Sequence, residues 1–159
     1  MAESKDDALI IPGKWEIAYN YSAGVTVSKF LKTLSEEARI IATKCSHCGL
    51  VMLPPRSYCE RCFEPAEEWV EVGCEGTIEA ATIVYTLFEG LPKPPYVIAF
   101  VMLDGADTAM VNFVDGVDLT MPSEDAARQV QIGTRVKVSF KGQREGRITD
   151  FRYHVLDGV

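Results

Sequence analysis

Between Ser28 and Ala38 the apolar positions return every third or fourth residue. Phe30, Leu31, Leu34 and Ala38 fall on one side of a helix, while Lys29, Lys32, Glu36 and Glu37 fall mostly elsewhere. Ser28 can cap such a helix, so the pattern predicts one over 28–38. Upstream the period changes. In KWEIAYNY, Trp15, Ile17, Tyr19 and Tyr21 alternate with polar or small residues, as in a strand or an extended arm. Beyond residue 68 alternation dominates. EWVEVGCEGTIEAATIVYTLF reads as one long strand bent at Gly73 and Gly76. YVIAFVMLD, TAMVNFV, RVKVSFK and ITDFRYHVL supply four more. SEDAARQVQIG reads as a short helix between the third and fourth strands, capped by Ser123 and ended at Gly133. Five strands with a helix in that place match the OB-fold, a small Greek-key barrel.

Composition sets the class. The chain has 159 residues, one ordinary domain or two small ones, and 47% of them are apolar, enough for a core without disulfide staples. No apolar run approaches the roughly 20 residues needed to cross a bilayer. The opening MAESKDDALI lacks the basic start and apolar stretch of a secretory signal. A cytoplasmic location is expected, where paired cysteines more often hold metal than each other.

Four of the five cysteines lie in KCSHCGLVMLPPRSYCERC, as the pairs Cys45/Cys48 and Cys59/Cys62 with ten residues between them. Each Cys-x-x-Cys turn places two sulfurs on one side of an ion, and zinc takes four such ligands in a tetrahedron. Ten residues are fewer than the roughly 15–20 of one common zinc pattern, but enough for two short strands and a turn. Gly49 stands where the first turn favours positive φ. The stretch therefore reads as a zinc ribbon with one structural ion. Its four protein ligands leave no open position for water or substrate. An iron site on the same thiolates, serving electron transfer, is the alternative. A thioredoxin-like redox pair is disfavoured, because that motif needs one Cys-x-x-Cys near a βαβ pattern. His47 reads as a surface residue and Cys74 as a small residue of the core or the bend.

Charge bears on partners. The net charge is −7, divided into −2 over residues 1–69 and −5 over 70–159. OB-folds often bind nucleic acid on the face of strands two and three. Here Phe88 to Ala126 carries one base, Lys93, against seven acids. Such a face repels phosphate, which supplies most nucleic-acid affinity. The basic residues Arg135, Lys137, Lys141, Arg144, Arg147 and Arg152 read mainly as a solvated hairpin balancing the acidic chain. Their minor reading is a contact for a compact anion such as a nucleotide phosphate of coenzyme A.

FLKTL, the ribbon with its PPR, EWVEVGCEGTIEAATIV, PPYVIAFVMLDG and IGTRVKVSF together resemble the zinc-ribbon/OB-fold acyl-CoA-associated family, long described only as a domain of unknown function. The resemblance covers about residues 28–155, and the cysteine pattern with PPR is its most specific part. It implies a small auxiliary subunit that steadies a thiolase-type catalytic subunit and helps to hold the acyl-CoA thioester. Within the family, the aromatic arm is similar to that of the small subunit of benzoylsuccinyl-CoA thiolases of anaerobic toluene breakdown. Cys74 departs from the family, which more often has a basic or polar residue there. A thiolase needs a nucleophilic cysteine with acid/base partners. No Ser-His-Asp or Cys-His set is evident in this chain, whose histidines are His47 and His154. No catalytic residue is assigned.

The expected architecture is mainly β. An N-terminal arm and helix occupy 1–43, a rubredoxin-like zinc ribbon 44–68 and a five-stranded OB-fold barrel 69–159. Cys45, Cys48, Cys59 and Cys62 are the expected zinc ligands. Trp15, Tyr19, Tyr21, Phe30 and Leu34 are the expected partner contacts, since aromatic anchors dominate interface energetics. Neither nucleic acid nor membrane is an expected partner, and no residue is assigned to coenzyme A. The charge distribution predicts no binding to single-stranded DNA or RNA at physiological salt. Sub-micromolar binding with a steep salt dependence, measured by fluorescence anisotropy, would contradict it.

Overall fold

The computed structural model describes residue 9 and residues 11–156. Its first element, helix α1, spans Gly24–Glu37, four residues ahead of the expected start. Ser28 lies inside it. No side chain caps the helix, although Ser22 Oγ accepts the Gly24 N–H at 3.2 Å. A start without a side-chain cap leaves little for capping rules to find. Ala38 ends the helix in the left-handed region at φ 53°. The arm that precedes it, 11–23, forms no strand.

Three short strands follow α1 in a sheet of order β2-β1-β3, all pairings antiparallel: β1 is Ile41–Lys44, β2 Val51–Met52 and β3 Glu68–Glu71. The single bent strand expected from residue 68 is therefore two. β3 completes the ribbon sheet, and β4, Glu75–Val84, opens the barrel. Alternation continues across both, so the pattern alone does not mark the break. At the turn between them, Gly73 N–H donates to Asp104 O at 2.8 Å. Cys74 sits in this bend. Gly76 is required by close approach, because a Cβ there would collide with Met102 O and Leu103 Cα.

The remaining barrel strands are β5 Tyr96–Leu103, β6 Met110–Asp115, β7 Arg135–Phe140 and β8 Phe151–Val155. They close in the order β4-β5-β6-β8-β7, and α2, Ser123–Arg128, lies between the third and fourth strands. This is the expected OB-fold order. Ser123 is the first helical residue, and Pro122 occupies the cap position instead. The parallel β6–β8 seam has only two registered pairs, Val114–Tyr153 and Asp115–His154. Side chains complete it. Asn112 Nδ2 donates to Ile148 O and Phe151 O, both at 3.0 Å, and Tyr153 Oη donates to Met110 O at 3.1 Å.

One core joins the parts. Phe30 and Leu34 of α1, Ile41 and Ala42 of β1, and Leu53 are buried in the same cluster as Ile78, Val101, Leu103, Val136, Phe151 and Tyr153 of the barrel. Phe30 and Leu34 are 3% and 0% exposed, so both face this chain's own core rather than a partner.

Asp150 fixes the loop before β8. Its buried Oδ2 accepts the N–H groups of Glu145, Gly146 and Arg147 at 2.9, 2.7 and 3.0 Å. Burial works to raise its pKa, but the three N–H donors outweigh burial and hold it below the usual carboxylate range. A depressed folded-state value contributes stability above the unfolded carboxylate pKa and loses it as pH falls through the folded one. Asp150→Ala strands three N–H groups and should cost roughly 2–3 kcal/mol at neutral pH. That difference should shrink as acid protonates Asp150 in the wild type. Urea unfolding of both proteins at neutral pH and in strong acid checks this.

Candidate metal centre and partner surface

The ribbon is built from two turns of the same design. β1 delivers Cys45, whose N–H donates to Leu50 O at 2.9 Å while Gly49 N–H returns to Cys45 O at 2.9 Å. In the second turn Cys59 N–H donates to Glu64 O at 2.8 Å and Phe63 N–H to Cys59 O at 2.9 Å. The left-handed position is Gly49 in the first, at φ 78°, and Phe63 in the second, at φ 57°. A bulky residue there is unusual, and the Phe63 ring is exposed. Buried Thr43 holds the returning chain, since its Oγ1 accepts Arg56 N–H and donates to Arg56 O, both at 2.9 Å.

These turns bring Cys45, Cys48, Cys59 and Cys62 together. Their four sulfurs lie within 4.8 Å of one another, and Cys48 Sγ and Cys59 Sγ are 3.6 Å apart. A tetrahedron with zinc–sulfur bonds of about 2.3 Å has edges of about 3.8 Å. The donor set therefore fits, and the four cysteines are positioned to bind one zinc. Without a cation, sulfurs this close share protons. Burial works against ionising Cys59, but N–H donors of Cys62 and Arg61 and the thiols of Cys48 and Cys45 bring it down to about 7. Cys62 is pushed up to about 12, first by Cys48, then by burial and Cys59. A divalent ion replaces the shared protons and lets all four ionise. It would supply a cross-link, with every ligand position filled by protein. His47 is exposed as expected, and its Nδ1 lies 3.4 Å from Cys62 Sγ.

The expected partner contacts separate into two groups. Trp15, Tyr19 and Tyr21 are 88%, 76% and 81% exposed. Phe30 and Leu34 belong to the core described above. Next to the root of the arm, Thr26 Oγ1 and Ser57 Oγ are 2.7 Å apart, tying the first turn of α1 to the ribbon. Val25, Tyr58 and Trp69 line a groove of about 450 Å³ there, and the Lys29 ammonium sits 4.4 Å from the Trp69 ring centre.

Most of the basic cluster is engaged. Arg135 forks onto Asp104 at 2.8 and 2.7 Å and reaches Glu75; Arg152 meets Asp115 at 2.9 Å; Arg147 meets Glu145. Arg144 donates to Ser35 O and Lys141 O. Balancing the acids describes Arg135, Arg147 and Arg152 better than an anion site does, and Arg144 is taken up by backbone carbonyls. Cys74 is no activated nucleophile, because burial and then the Glu71 charge raise its thiol. His154 lies over Gly116. Among the described residues no helix is long and apolar enough to cross a membrane.

A four-thiolate ribbon packed on a closed five-stranded barrel defines a zinc-ribbon/OB-fold protein. Two consecutive family models match it: the rubredoxin-like zinc ribbon domain of ChsH2 over residues 36–68, and the C-terminal OB-fold domain of ChsH2 over 69–141. The chain belongs to the ChsH2 family of zinc-ribbon/OB-fold proteins. A crystal structure of a DUF35-family protein of unknown function from Sulfolobus solfataricus is 27% identical, with a TM-score of 0.61 over 83% of this chain and 86% of that one. The Ltp2-ChsH2(DUF35) aldolase is 18% identical, with a TM-score of 0.59 over 85% of this chain and 97% of that one, a likeness of fold.

The ribbon's own core is small: Leu50, Met52 and Ala66 with the cysteines. Metal binding should therefore supply much of its folding energy, up to the roughly 10–16 kcal/mol seen in zinc peptides. The purified protein should carry one zinc per chain. Cys59→Ser should lower zinc content and melting temperature while far-UV circular dichroism retains the barrel. A metal-free protein of equal stability would contradict this.

Proposed function

We propose that this chain is a non-catalytic auxiliary subunit of a thiolase-type acyl-CoA complex, which steadies the catalytic subunit and helps to hold the acyl-CoA thioester. The observation that carries the reading is the exposed arm. Trp15, Tyr19 and Tyr21 stand outside the chain's own core, and aromatics of this kind anchor interfaces when they enter pockets on a partner. Three further features support it. The metal site offers no open position for chemistry. The one cysteine outside it, Cys74, has a raised pKa. The name of the Ltp2-ChsH2(DUF35) aldolase joins a member of the same family to an aldolase. The narrower likeness, to the small subunit of benzoylsuccinyl-CoA thiolase, rests on the aromatic arm alone.

In this reading the ribbon, fixed by zinc at one end and by the shared core at the other, presents the root of the arm in one orientation. Part of the ordering cost of docking is then met before the partner arrives. The contribution to acyl transfer is positional, through the partner's loops and the thioester they bind.

Because α1 begins at Gly24, removing residues 1–21 spares the helix and the Ser22 contact. The truncated chain should fold and load zinc, yet no longer hold the thiolase-like subunit that co-purifies with the full chain from its native source. The turnover of that enzyme should fall with it, although none of its catalytic groups has changed. Retention of the truncated chain together with full activity would refute the docking role of the arm.

A further inference from the structure

β4 is flanked on both sides for only part of its length. Glu75, Gly76 and Thr77 pair with β7, and Ile78 exchanges backbone hydrogen bonds with Thr134 and Gly133 at 3.0 and 2.9 Å. Beyond Ile78 no pairing with β7 continues, and the register of β4 against β5 shifts between Ile78 and Ala80. From Ala80 to Val84 the only pairing among the described residues is with β5. Among the described residues the far side of this stretch is a free sheet edge. Beside it runs a groove of about 290 Å³ lined by Ala81, Ile83, Val130 and Ile132 among others, none of its lining residues charged. Ala81 and Ile83 pair with Ala99 and Val97, whose side chains are buried in the barrel, yet Ala81 is exposed and Ile83 only half-buried. Native edges are commonly blunted by lysine, proline or a covering helix. Glu79–Val84 contains neither residue.

An unpaired strand-like segment exists in the same chain. From Ile11 to Tyr21 every odd position except Gly13 is apolar: Ile11, Trp15, Ile17, Tyr19 and Tyr21. The even positions are Pro12, Lys14, Glu16, Ala18 and Asn20. A period of two places all five apolar side chains on one face of a strand, whereas a helical period would scatter them. The two charges of the segment, Lys14 and Glu16, pair with each other, so it brings no net charge to an uncharged groove.

We propose that the free edge of β4 takes the N-terminal arm of a second copy of this chain, added as a strand with its apolar face toward the groove. The chain on its own is then an arm-exchanged dimer. Edge and arm are complementary in kind: unpaired backbone on both, an apolar slot on one and an apolar stripe on the other. Each copy carries one edge and one arm, so exchange between two copies closes under two-fold symmetry. In the complex proposed above, the same arm belongs to the catalytic subunit, and the two occupants compete for it.

Light scattering on the zinc-loaded full chain tests this without any partner. At about 50 μM, far above the Kd of a nanomolar-to-micromolar dimer, the mass should be twice the 17.6 kDa of the chain. Ala81→Lys, which puts a charge in the groove, and Ile17→Lys, on the apolar face of the arm, should each raise the dimer Kd at least about tenfold. Ala18→Lys, on the polar face, should leave it unchanged. Unaltered zinc content and circular dichroism establish that the variants are folded. A single-chain mass for the wild type, including one whose arm folds onto its own barrel, overturns the proposal. So does a dimer Kd, read from the mass on serial dilution, that Ala81→Lys leaves unchanged. Neither result bears on whether the truncated chain holds a thiolase-like subunit.

Discussion

The turn between β5 and β6 holds the molecule in one piece. Asp107 N–H donates to Val51 O and its carboxylate accepts Val51 N–H, both at 2.8 Å. Thr108 Oγ1 accepts Leu53 N–H at 2.7 Å and donates to Leu53 O at 2.8 Å. At the other end of the turn, Asp104 accepts from Gly73 and donates to Glu75, while Arg135 grips its carboxylate. Three residues of this turn, Asp104, Asp107 and Thr108, thus bind the ribbon strand β2, the β3–β4 bend and β7 together. The exposed ion pair adds little by itself. The backbone bonds matter more, because each satisfies a group at the junction that neither sheet can pair. Without them β2 would be a two-residue strand with one neighbour, too short to hold a register.

This junction explains why ribbon and barrel share a core. Ile41 and Ala42 of β1 and Leu53 after β2 reach the cluster that fills the barrel, and α1 closes it from the other side through Phe30 and Leu34. Arg144 reinforces the helix contact by donating to Ser35 O at 2.8 Å. The near end of the ribbon is therefore held by apolar burial. Its far end, where Cys45, Cys48, Cys59 and Cys62 meet, has only the small core of Leu50, Met52 and Ala66 and the bonds of its two turns, so a bound metal would supply much of its hold.

Legibility in the sequence followed the range of the interactions. The two Cys-x-x-Cys turns, the left-handed Gly49 and the five-strand order with its helix are local or periodic features, and all were readable. The split of the first strand was not: Gly73 and Gly76 marked a bend, but only the bonds of Asp104 to Gly73 and Glu75 show that the chain passes there from one sheet to another. Phe30 and Leu34 show the same limit. Their helical spacing marks an apolar face, but a face alone does not say whether it meets a partner or its own barrel. Asn112 and Asp150 escaped because a polar residue inside a strand or loop becomes significant only when the groups it satisfies, 3 to 39 positions away, are brought beside it. Phe63 carried a signal that went unused: it holds the same place after Cys62 that Gly49 holds after Cys48.

Position, more than composition, gives the surface residues their meaning. Tyr58 and Val25 are ordinary exposed side chains taken singly. The Thr26–Ser57 contact sets them on one groove beside Trp69, at the root of the arm and next to the second cysteine turn. The ribbon segment bearing Tyr58 leads directly into Cys59, so its path depends on the four-thiolate cluster. The opposite wall, α1, depends on the barrel core. A groove whose two walls are fixed by two independent devices keeps its width only while both are intact. Zinc bound by the four cysteines would therefore act at a distance from its ligands: by ordering one wall, it would set the platform from which the arm departs.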